Sequence, residues 1–274
     1  MFPTFEFMGK TIGVYGLCSI AGLVVAGTVM YNLVKKKGIY AQDITLLAVA
    51  VAVGMFVGGH IVYGITHIPE IIDLFKNMPR YTAREFWRAL GGCFGGMVFY
   101  GGLIGSFICI AVFKKFQIAA NLQKTNIMDA YSVVVPLFHV FGRIGCFLGG
   151  CCYGIESSFG FIVTGNQLSP GVNDVRRFPV QLVEAGCNLI IFLVLLVLYK
   201  KGRAKDKLIY IYLLIYPAVR FGLEFLRGDE IRGFLFGLST SQWISIGLFA
   251  FSVISLVIKS RQGQKSADGA EDMQ

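Results

Sequence analysis

The sequence predicts an all-α polytopic membrane protein with about seven transmembrane helices, and three properties support this fold class. Of its 274 residues, 55% are hydrophobic and only 15% are charged, whereas soluble domains carry about 25% charged residues. The 25 Lys and Arg exceed the 16 Asp and Glu, which gives a formal charge of +9. These cations lie in short clusters between long apolar runs. The pattern excludes a disordered protein, a nucleic-acid-binding domain and an ordinary soluble enzyme.

Seven apolar runs are long enough to cross about 30 Å of hydrocarbon, which takes roughly 20 helical residues. The predicted spans cover residues 11–34, 44–65, 89–113, 127–148, 180–199, 208–226 and 241–258. Lys and Arg collect after alternate spans, in residues 35–37, 114–124, 200–207 and 259–265. Because such clusters stay on the cytoplasmic side, the N-terminus is predicted outside and the C-terminus in the cytoplasm.

The connections indicate one membrane domain and one tail. Residues 1–261 are predicted to form a single transmembrane domain with outer loops near 67–88 and 151–179. Residues 262–274 are small and polar, which predicts a disordered cytoplasmic tail. The segment 69–87 is too charged to span and is predicted to lie along the outer interface. The polar stretch 153–179 has two interpretations, a lid over an outward-facing site or a passive connector.

The sixth span carries ionisable side chains at helical spacing. Tyr216, Arg220, Glu224 and Arg227 follow one another in steps of four, four and three residues, so they share one helical face. An Arg inside a bilayer costs at least about 2.5 kcal/mol and needs a partner or a water-filled cavity. The group is interpreted either as an Arg–Glu–Arg staple between helices or as an anion site. We favour the anion site, because one positive charge is left unbalanced on this helix.

The fourth span ends in a glycine-rich segment that contains another arginine. Arg143 lies among glycines that let backbone N–H groups approach a ligand closely; they are Gly142, Gly145, Gly149, Gly150 and Gly154. Planar guanidinium groups match the oxygens of phosphate. Arg143, Arg220 and Arg227 are therefore predicted to converge on a phosphate group.

The third span contains two glycine clusters on either side of Tyr100. The pairs Gly91/Gly95 and Gly101/Gly105 have the spacing of close helix–helix contacts. A tyrosine in such a place is more often a packed aromatic residue with a hydrogen-bonded hydroxyl than an acid or base.

Seven cysteines fall into two groups. Cys18, Cys93, Cys109 and Cys187 are scattered in apolar helices, whereas Cys146, Cys151 and Cys152 cluster at the end of the fourth span. The cluster lacks the two separated ligand pairs of a structural zinc site, so no metal is predicted. A disulfide involving Cys146, a thiol-redox function, and three small residues in a turn all stay open.

Seven segments occur in order along nearly the whole chain. They are Val14-Tyr15-Gly16-Leu17, Gly58-Gly59-His60, residues 96–105, Gly142-Arg143-Ile144-Gly145-Cys146-Phe147, and residues 177–184, 220–227 and 237–242. Together they resemble the motifs of the phosphatidylglycerol–prolipoprotein diacylglyceryl transferase family. Among them, Gly142–Phe147 is similar to the family's Gly-Arg-Ile/Leu-Gly-Asn-Phe, and 220–227 to its Arg-Phe-x-x-Glu-Phe-x-Arg.

The resemblance implies a multi-pass enzyme of the bacterial inner (cytoplasmic) membrane that catalyses the first step of lipoprotein maturation. It would move the diacylglyceryl group of phosphatidylglycerol to the lipobox cysteine thiol of a prolipoprotein signal peptide. Glycerol phosphate would be released, and no metal or dissociable cofactor is implied. The implied partners are phosphatidylglycerol, the prolipoprotein and membrane lipids.

The resemblance also implies roles for individual residues. Arg143 and Arg220 would contact the phosphate, and Tyr15 would assist in the lipid pocket. Glu224, Arg227 and Tyr216 would orient the two arginines, with Gly142, Gly145 and Gly154 lining the substrate site. Arg143, Arg220, Glu224 and Tyr100 are the predicted catalytic residues.

Four positions depart from the family pattern. Tyr100 stands where the family has its catalytic His, Cys146 replaces the signature Asn, His60 replaces an Arg, and Phe178 replaces a His. A tyrosine hydroxyl is a poorer base near neutral pH than an imidazole. The arginines would then activate the thiolate electrostatically, or another group such as His60 would serve as the base. Alternatively, the protein binds phosphatidylglycerol but modifies another acceptor, or is non-catalytic. We favour prolipoprotein transfer, because the phosphate-binding residues are all retained.

Overall fold

The computed structural model describes residues 3–7, 10–35, 41–116, 127–164, 166, 170–229 and 234–271. Within these residues the chain forms nine α-helices. They are α1 (Val14–Lys35), α2 (Ala41–Thr66), α3 (Ile68–Lys76), α4 (Ala83–Cys93), α5 (Phe99–Lys115), α6 (Ile127–Gly149), α7 (Val180–Lys200), α8 (Leu208–Glu224) and α9 (Thr240–Glu271).

Three two-stranded antiparallel sheets accompany the helices in the described part of the chain, and the sequence analysis did not predict them. They pair β1 (Thr4–Phe7) with β2 (Lys10–Gly13), β3 (Glu156–Ile162) with β4 (Arg176–Arg177), and β5 (Phe234–Leu235) with β6 (Leu238–Ser239). Because residues 10–13 belong to β2, α1 begins at Val14, three residues after the start of the predicted span.

Five of the described helices are long and apolar enough to cross a membrane, namely α1, α2, α6, α7 and α9. This confirms a predominantly helical integral membrane protein. Helices α5 and α8 are also apolar but have 17 residues each. A length of 17 residues spans about 25 Å at 1.5 Å per residue. Many large apolar side chains on these helices are exposed, as expected for surfaces that contact lipid.

The prediction of a single third span at 89–113 is wrong. The chain forms two helices there, α4 and α5, which are separated by residues 94–98. Helix α4 begins at a capping box of Thr82 and Glu85 in the charged connection. It ends where Gly91, Gly92, Gly95 and Gly96 follow closely, and glycine is the weakest helix former apart from proline.

The chain divides into two compact units, residues 1–30 with 126–274 and residues 31–125. In the second unit, α2 packs against α5 through facing glycines. A Cβ on Gly105 would overlap the carbonyl oxygen of Gly54, and one on Gly101 would overlap that of Gly58. The close contact predicted for Gly101/Gly105 is confirmed. That predicted for Gly91 is wrong, because a Cβ there would meet nothing within 4 Å.

The charged segment before α5 forms α3 and α4, which pack on each other. Leu74 and Phe86 are buried, and the rings of Phe75 and Phe86 meet edge to face at 5.3 Å. That this pair lies along the outer membrane interface stays a prediction.

In the first unit, α6 is the central helix. Of its apolar span 56% is buried, against 17–33% for the other four long helices. Buried Asp129 at its start accepts hydrogen bonds from the backbone N–H groups of Asp206 (2.7 Å) and Leu208 (3.1 Å). The Lys259 ammonium of α9 donates to the Asp206 carbonyl at 2.8 Å. The start of α6, the start of α8 and Lys259 of α9 therefore lie at one end of this unit.

The polar connection 151–179 is tied to the helices beside it. Gly154 bridges to Arg227, and the buried Gln181 amide donates to the Cys151 carbonyl at 2.9 Å. The lid and connector interpretations both stay open.

In α9 the helical backbone continues to Glu271, into the segment where the sequence predicted disorder. A short polar helix is marginal in water, so the disordered tail in solution stays a prediction.

Candidate active site

Three helices of the first unit each contribute a stripe of polar residues at helical spacing. Helix α6 carries His139 and Arg143, and α7 carries Glu184 and Asn188, each pair four residues apart. Helix α8 carries Tyr212, Tyr216, Arg220 and Glu224 at successive steps of four residues. Residues four apart lie on one face of a helix, and these three faces meet inside the bundle.

The carboxylate of Glu184 is the centre of this polar cluster. Its side chain is only 2% exposed and pairs with Arg143 (Nε to Oε1, 3.1 Å) and with Arg220 (Nη1 to Oε2, 3.4 Å). The Tyr216 hydroxyl donates to Oε1 at 3.3 Å. His139 Nε2 lies 3.9 Å from the same oxygen. One carboxylate on α7 therefore joins α6 to α8.

Arg220 has several partners around its guanidinium. Besides Glu184, its Nη2 pairs with Glu224 at 2.6 Å, one helical turn along α8, and donates to the Ser241 hydroxyl of α9 at 3.4 Å. Both carboxylates are buried as deeply as Arg220 itself. Buried charges are tolerated when they are paired and hydrogen-bonded, and Arg220 meets that condition.

Arg143 is held differently. Its contact with Glu184 is made through Nε at 3.1 Å, and within the described part of the chain its two terminal Nη groups form no hydrogen bond. Its side chain is 11% exposed, against 4% for Arg220. A guanidinium anchored at Nε presents the Nη edge that binds planar or tetrahedral anions. Of the two arginines, Arg143 is the one equipped to meet a ligand.

Arg227 has a carboxylate partner of its own. It lies after the end of α8 and forms a bidentate pair with Asp229, with Nε donating to Oδ1 at 2.9 Å. Arg143 and Arg220 share Glu184, and Arg227 interacts electrostatically with both Arg143 and Glu184. That the three guanidiniums converge on a phosphate stays a prediction. The positive charge left unbalanced on this helix by the sequence has a partner, because among the described residues Glu184 and Asp229 join Glu224 in pairing with Arg143, Arg220 and Arg227. The sequence prediction counted the charges of one helix only.

The predicted glycines serve different purposes. Gly145 lets α1 approach α6, since a Cβ there would lie 3.2 Å from Tyr15 Cδ2 and 3.0 Å from Cys18 Cβ. Tyr15 therefore packs beside the last turns of α6, with 44% of its surface exposed. A Cβ on Gly154 would overlap the Phe178 carbonyl oxygen, so this glycine allows two backbone segments to touch. A Cβ on Gly142 would meet nothing within 4 Å.

Tyr100 and His60 belong to the second unit. Tyr100 lies in the first turn of α5. His60 Nδ1 lies 2.7 Å from the Phe94 carbonyl oxygen, and its ring contacts Phe56 edge to face at 4.3 Å. The contacts of His60 with Phe94 and Phe56 are those of a packed side chain. The catalytic assignment of Tyr100 stays a prediction.

Three thiols gather where α6 ends. The Sγ atoms of Cys146, Cys151 and Cys152 all lie within 4.8 Å of one another, and all three cysteines are free. Cys152 lies beyond the helix, and hydrogen bonds from the other two thiols hold the pKa of its own thiol well below the usual range. The disulfide involving Cys146, one of the possibilities that the sequence left open, is not formed in this structure.

Comparison with known proteins decides the family. The family described as "Prolipoprotein diacylglyceryl transferase" matches residues 3–258 of this chain. The chain belongs to that family. A relative from Clostridium tetani, named phosphatidylglycerol–prolipoprotein diacylglyceryl transferase, is 32% identical over 91% of this chain and 96% of its own length. A second, from Clostridium perfringens and named transferase 2, is 31% identical over 95% of this chain and 96% of its own length. A third, from Campylobacter hominis, is 29% identical over 95% of this chain and 92% of its own length.

Within this transferase family member, sequence reasoning missed the residue at the centre of the site. Glu184 ends the segment 177–184 that resembles a family motif, but no role was predicted for it. The available signal was a carboxylate in the second turn of an apolar helix, where an unpaired charge is costly. His139, one turn before Arg143 on α6, carried the same kind of signal.

Proposed function

We propose that this protein transfers the diacylglyceryl group of phosphatidylglycerol to the lipobox cysteine thiol of prolipoproteins, the first step of bacterial lipoprotein maturation. Membership of the transferase family supports the reaction, as do the names of its relatives. The observation that carries the proposal is the Arg143–Glu184–Arg220 arrangement, buried between helices with the Nη edge of Arg143 left for an anion.

The reaction breaks the bond between the glyceryl carbon and a phosphate oxygen and forms a carbon–sulfur bond. Negative charge grows on the departing phosphate, and a prepositioned guanidinium stabilises it without reorganising in the transition state. Arg143 would bind that phosphate directly. Glu184 would fix the Arg143 side chain through Nε, and Arg220 would hold the other oxygen of Glu184 in place. Glu224 and Tyr216 would position this pair, and Tyr15 would contact the lipid beside α6.

The thiol must lose its proton, and nucleophilic cysteines react as thiolates. With tyrosine at the position of the family's catalytic His, we propose that the positive charge of Arg143 lowers the cost of forming the thiolate. The phosphate oxygen that is freed when the C–O bond breaks accepts this proton, because a phosphate monoester can bind a second proton with a pKa near 6. The released glycerol phosphate then gives the proton up to water. Tyr100 is the alternative proton acceptor.

We also propose that α1, α2 and α5–α9 make up the seven spans in the bacterial cytoplasmic membrane. The cationic turn 200–207 and Lys259 lie at one end of the first unit, which supports a cytoplasmic position for that end. The end of α6, the start of α7 and the end of α8 would then lie outward. The ionic cluster belongs to this outward part, on the side where prolipoproteins emerge.

The test is a transfer assay with purified protein, phosphatidylglycerol labelled in its acyl chains and a lipobox peptide. We expect labelled peptide with the wild type and a loss of about 10²–10³-fold for Arg143→Ala, the range for removing one transition-state donor. Arg203→Ala removes an exposed arginine in the turn between α7 and α8 and should leave the rate unchanged. Arg143→Lys keeps the positive charge but loses the planar guanidinium that binds an anion through two N–H groups, and we expect it to recover only part of the rate.

Two results would overturn the proposal. One is an unlabelled peptide with the wild type, together with failure to restore lipoprotein lipidation in a strain depleted of its own transferase. The other is an Arg143→Ala variant as active as the Arg203→Ala control. Because Tyr100 replaces the family's His, the second candidate is a protein that binds phosphatidylglycerol but does not modify the prolipoprotein thiol. In that case the lipid would protect the fold against heat while no peptide became labelled.

A further inference from the structure

The C-terminus of α6 brings two cysteines together through its backbone geometry. Gly150 adopts a left-handed conformation (φ 72°) and its N–H donates to the Phe147 carbonyl at 3.2 Å. The Cys151 N–H donates to the Cys146 carbonyl at 3.1 Å. These are the two hydrogen bonds of a Schellman motif, in which the side chains five residues apart come into contact. The contacting pair here is Cys146 and Cys151.

A third cysteine completes the group. Cys152 also has a left-handed backbone conformation (φ 54°), which is uncommon for a residue with a side chain. This conformation turns the chain back, so that the three Sγ atoms lie within 4.8 Å of one another. Three sulfurs around one metal at about 2.3 Å would be roughly 4 Å apart. The observed spacing needs only a small contraction to match that geometry.

The ligand set and its surroundings indicate which cations would bind. The group consists of thiols alone, and thiolates select soft cations such as Cu(I), zinc and cadmium over magnesium or calcium. Cys151 and Cys152 are half-buried, whereas Cys146 is buried, so the open side is that of the connection after α6. Arg143 and Arg227 interact electrostatically with Cys152 and would offset the negative charge of a three-thiolate complex.

We propose that Cys146, Cys151 and Cys152 form a binding site for one soft, thiophilic cation in three-sulfur coordination. The sequence spacing predicted no metal, because it lacks two separated ligand pairs; the Schellman turn supplies the proximity that the spacing does not show. The site lies one turn beyond Arg143 on α6. A bound metal–thiolate complex carries net negative charge and would draw Arg143 away from phosphate.

Cadmium is the probe for this site. Wild-type protein in detergent, reduced with a phosphine, is titrated with Cd²⁺ and then desalted. We expect one retained Cd²⁺ per chain and a sulfur-to-metal charge-transfer band in the ultraviolet, unaffected by excess Mg²⁺. Cys151→Ser removes a half-buried ligand with little effect on folding, and should weaken binding by at least about 100-fold, the upper end of the loss from perturbing a metal's outer shell. Cys187→Ser, a half-buried cysteine of α7, should bind as the wild type does.

Retention of no Cd²⁺ by the wild type would overturn the proposal, as would equal retention by Cys151→Ser. These readouts do not depend on catalysis, so they stand even if the transferase function fails. In the transfer assay, Cd²⁺-loaded and desalted wild type should be slower than the metal-free protein, while Cys151→Ser treated in the same way should keep its full rate. Equal slowing of both would overturn the proposed effect on Arg143.

Discussion

The two compact units hold their helices together in opposite ways. In the second unit, α2 and α5 touch backbone to backbone at Gly54 and Gly105, with no side chain between them. In the first unit, α6, α7 and α8 are joined by the buried carboxylate of Glu184 and the guanidiniums on either side of it. Glycine contacts depend on dispersion and are typical of helices packed inside a membrane. Buried ions are costly there and mark functional sites.

The difference separates packing from chemistry. The glycine contact contains no side-chain group that can bind a ligand or react, so it serves only to pack α2 closely against α5. Replacing a buried ion pair with packed apolar residues is often neutral or stabilising in proteins, so stability alone does not account for two arginines and two carboxylates between α6, α7 and α8. This is why we propose a functional role, rather than a purely structural one, for the ionic cluster.

The largest expected effect comes from removing the central charge. Glu184→Gln keeps the size of the side chain but leaves Arg143 and Arg220 without their shared counter-ion. Removing one partner of a buried pair costs about 3–5 kcal/mol, so we expect a loss of that size in the free energy of unfolding, measured by denaturant titration in micelles. Transfer activity should fall with it.

The matched control is Glu156→Gln. Glu156 is 73% exposed and lies 4.0 Å from Arg177. Exposed pairs contribute about 0–1 kcal/mol, so this variant should unfold as the wild type does. If the two variants had equal stability, Glu184 would not be the centre of the cluster.

A smaller effect is expected in the glycine contact. Gly105→Ala places a methyl group against the Gly54 carbonyl and forces α2 and α5 apart, which costs about 1–3 kcal/mol for overpacking. Gly91→Ala in α4 meets nothing within 4 Å and should be neutral or stabilising by up to about 1 kcal/mol. Thermal unfolding of both variants in the same detergent is the measurement. A Gly105→Ala variant as stable as Gly91→Ala would show that the close contact is not needed.

The smallest effect tests whether Tyr100 is the proton acceptor. If electrostatic stabilisation of the thiolate suffices, Tyr100→Phe should lower the transfer rate by less than about 10-fold. General acid–base catalysis contributes about 10²–10⁴-fold, so a loss in that range would identify Tyr100 as the proton acceptor. The rate should be measured across pH, because loss of a base also flattens the pH profile.

The sequence pattern predicts the positions of some site residues better than those of others. The steps of four between Tyr216, Arg220 and Glu224 predicted a shared helical face, and the structure confirms their common burial. Arg227 fits the same spacing, but α8 ends at Glu224, so helical periodicity does not define the position of the Arg227 side chain. Hydropathy predicts one helix for the third span, because the index does not penalise the four glycines between the last turn of α4 and the start of α5.

The sequence by itself determined the membrane class, most of the helices and the family, and it singled out Arg143 and Arg220 as candidate site residues. These follow from local composition, periodicity and motif, which each segment carries on its own. Only the tertiary structure decided that Glu184 pairs with both arginines, that Asp229 balances Arg227 and that three thiols meet beyond α6. Such contacts join groups on different helices or across a turn, and their partners are set by packing and by the need to neutralise each buried charge.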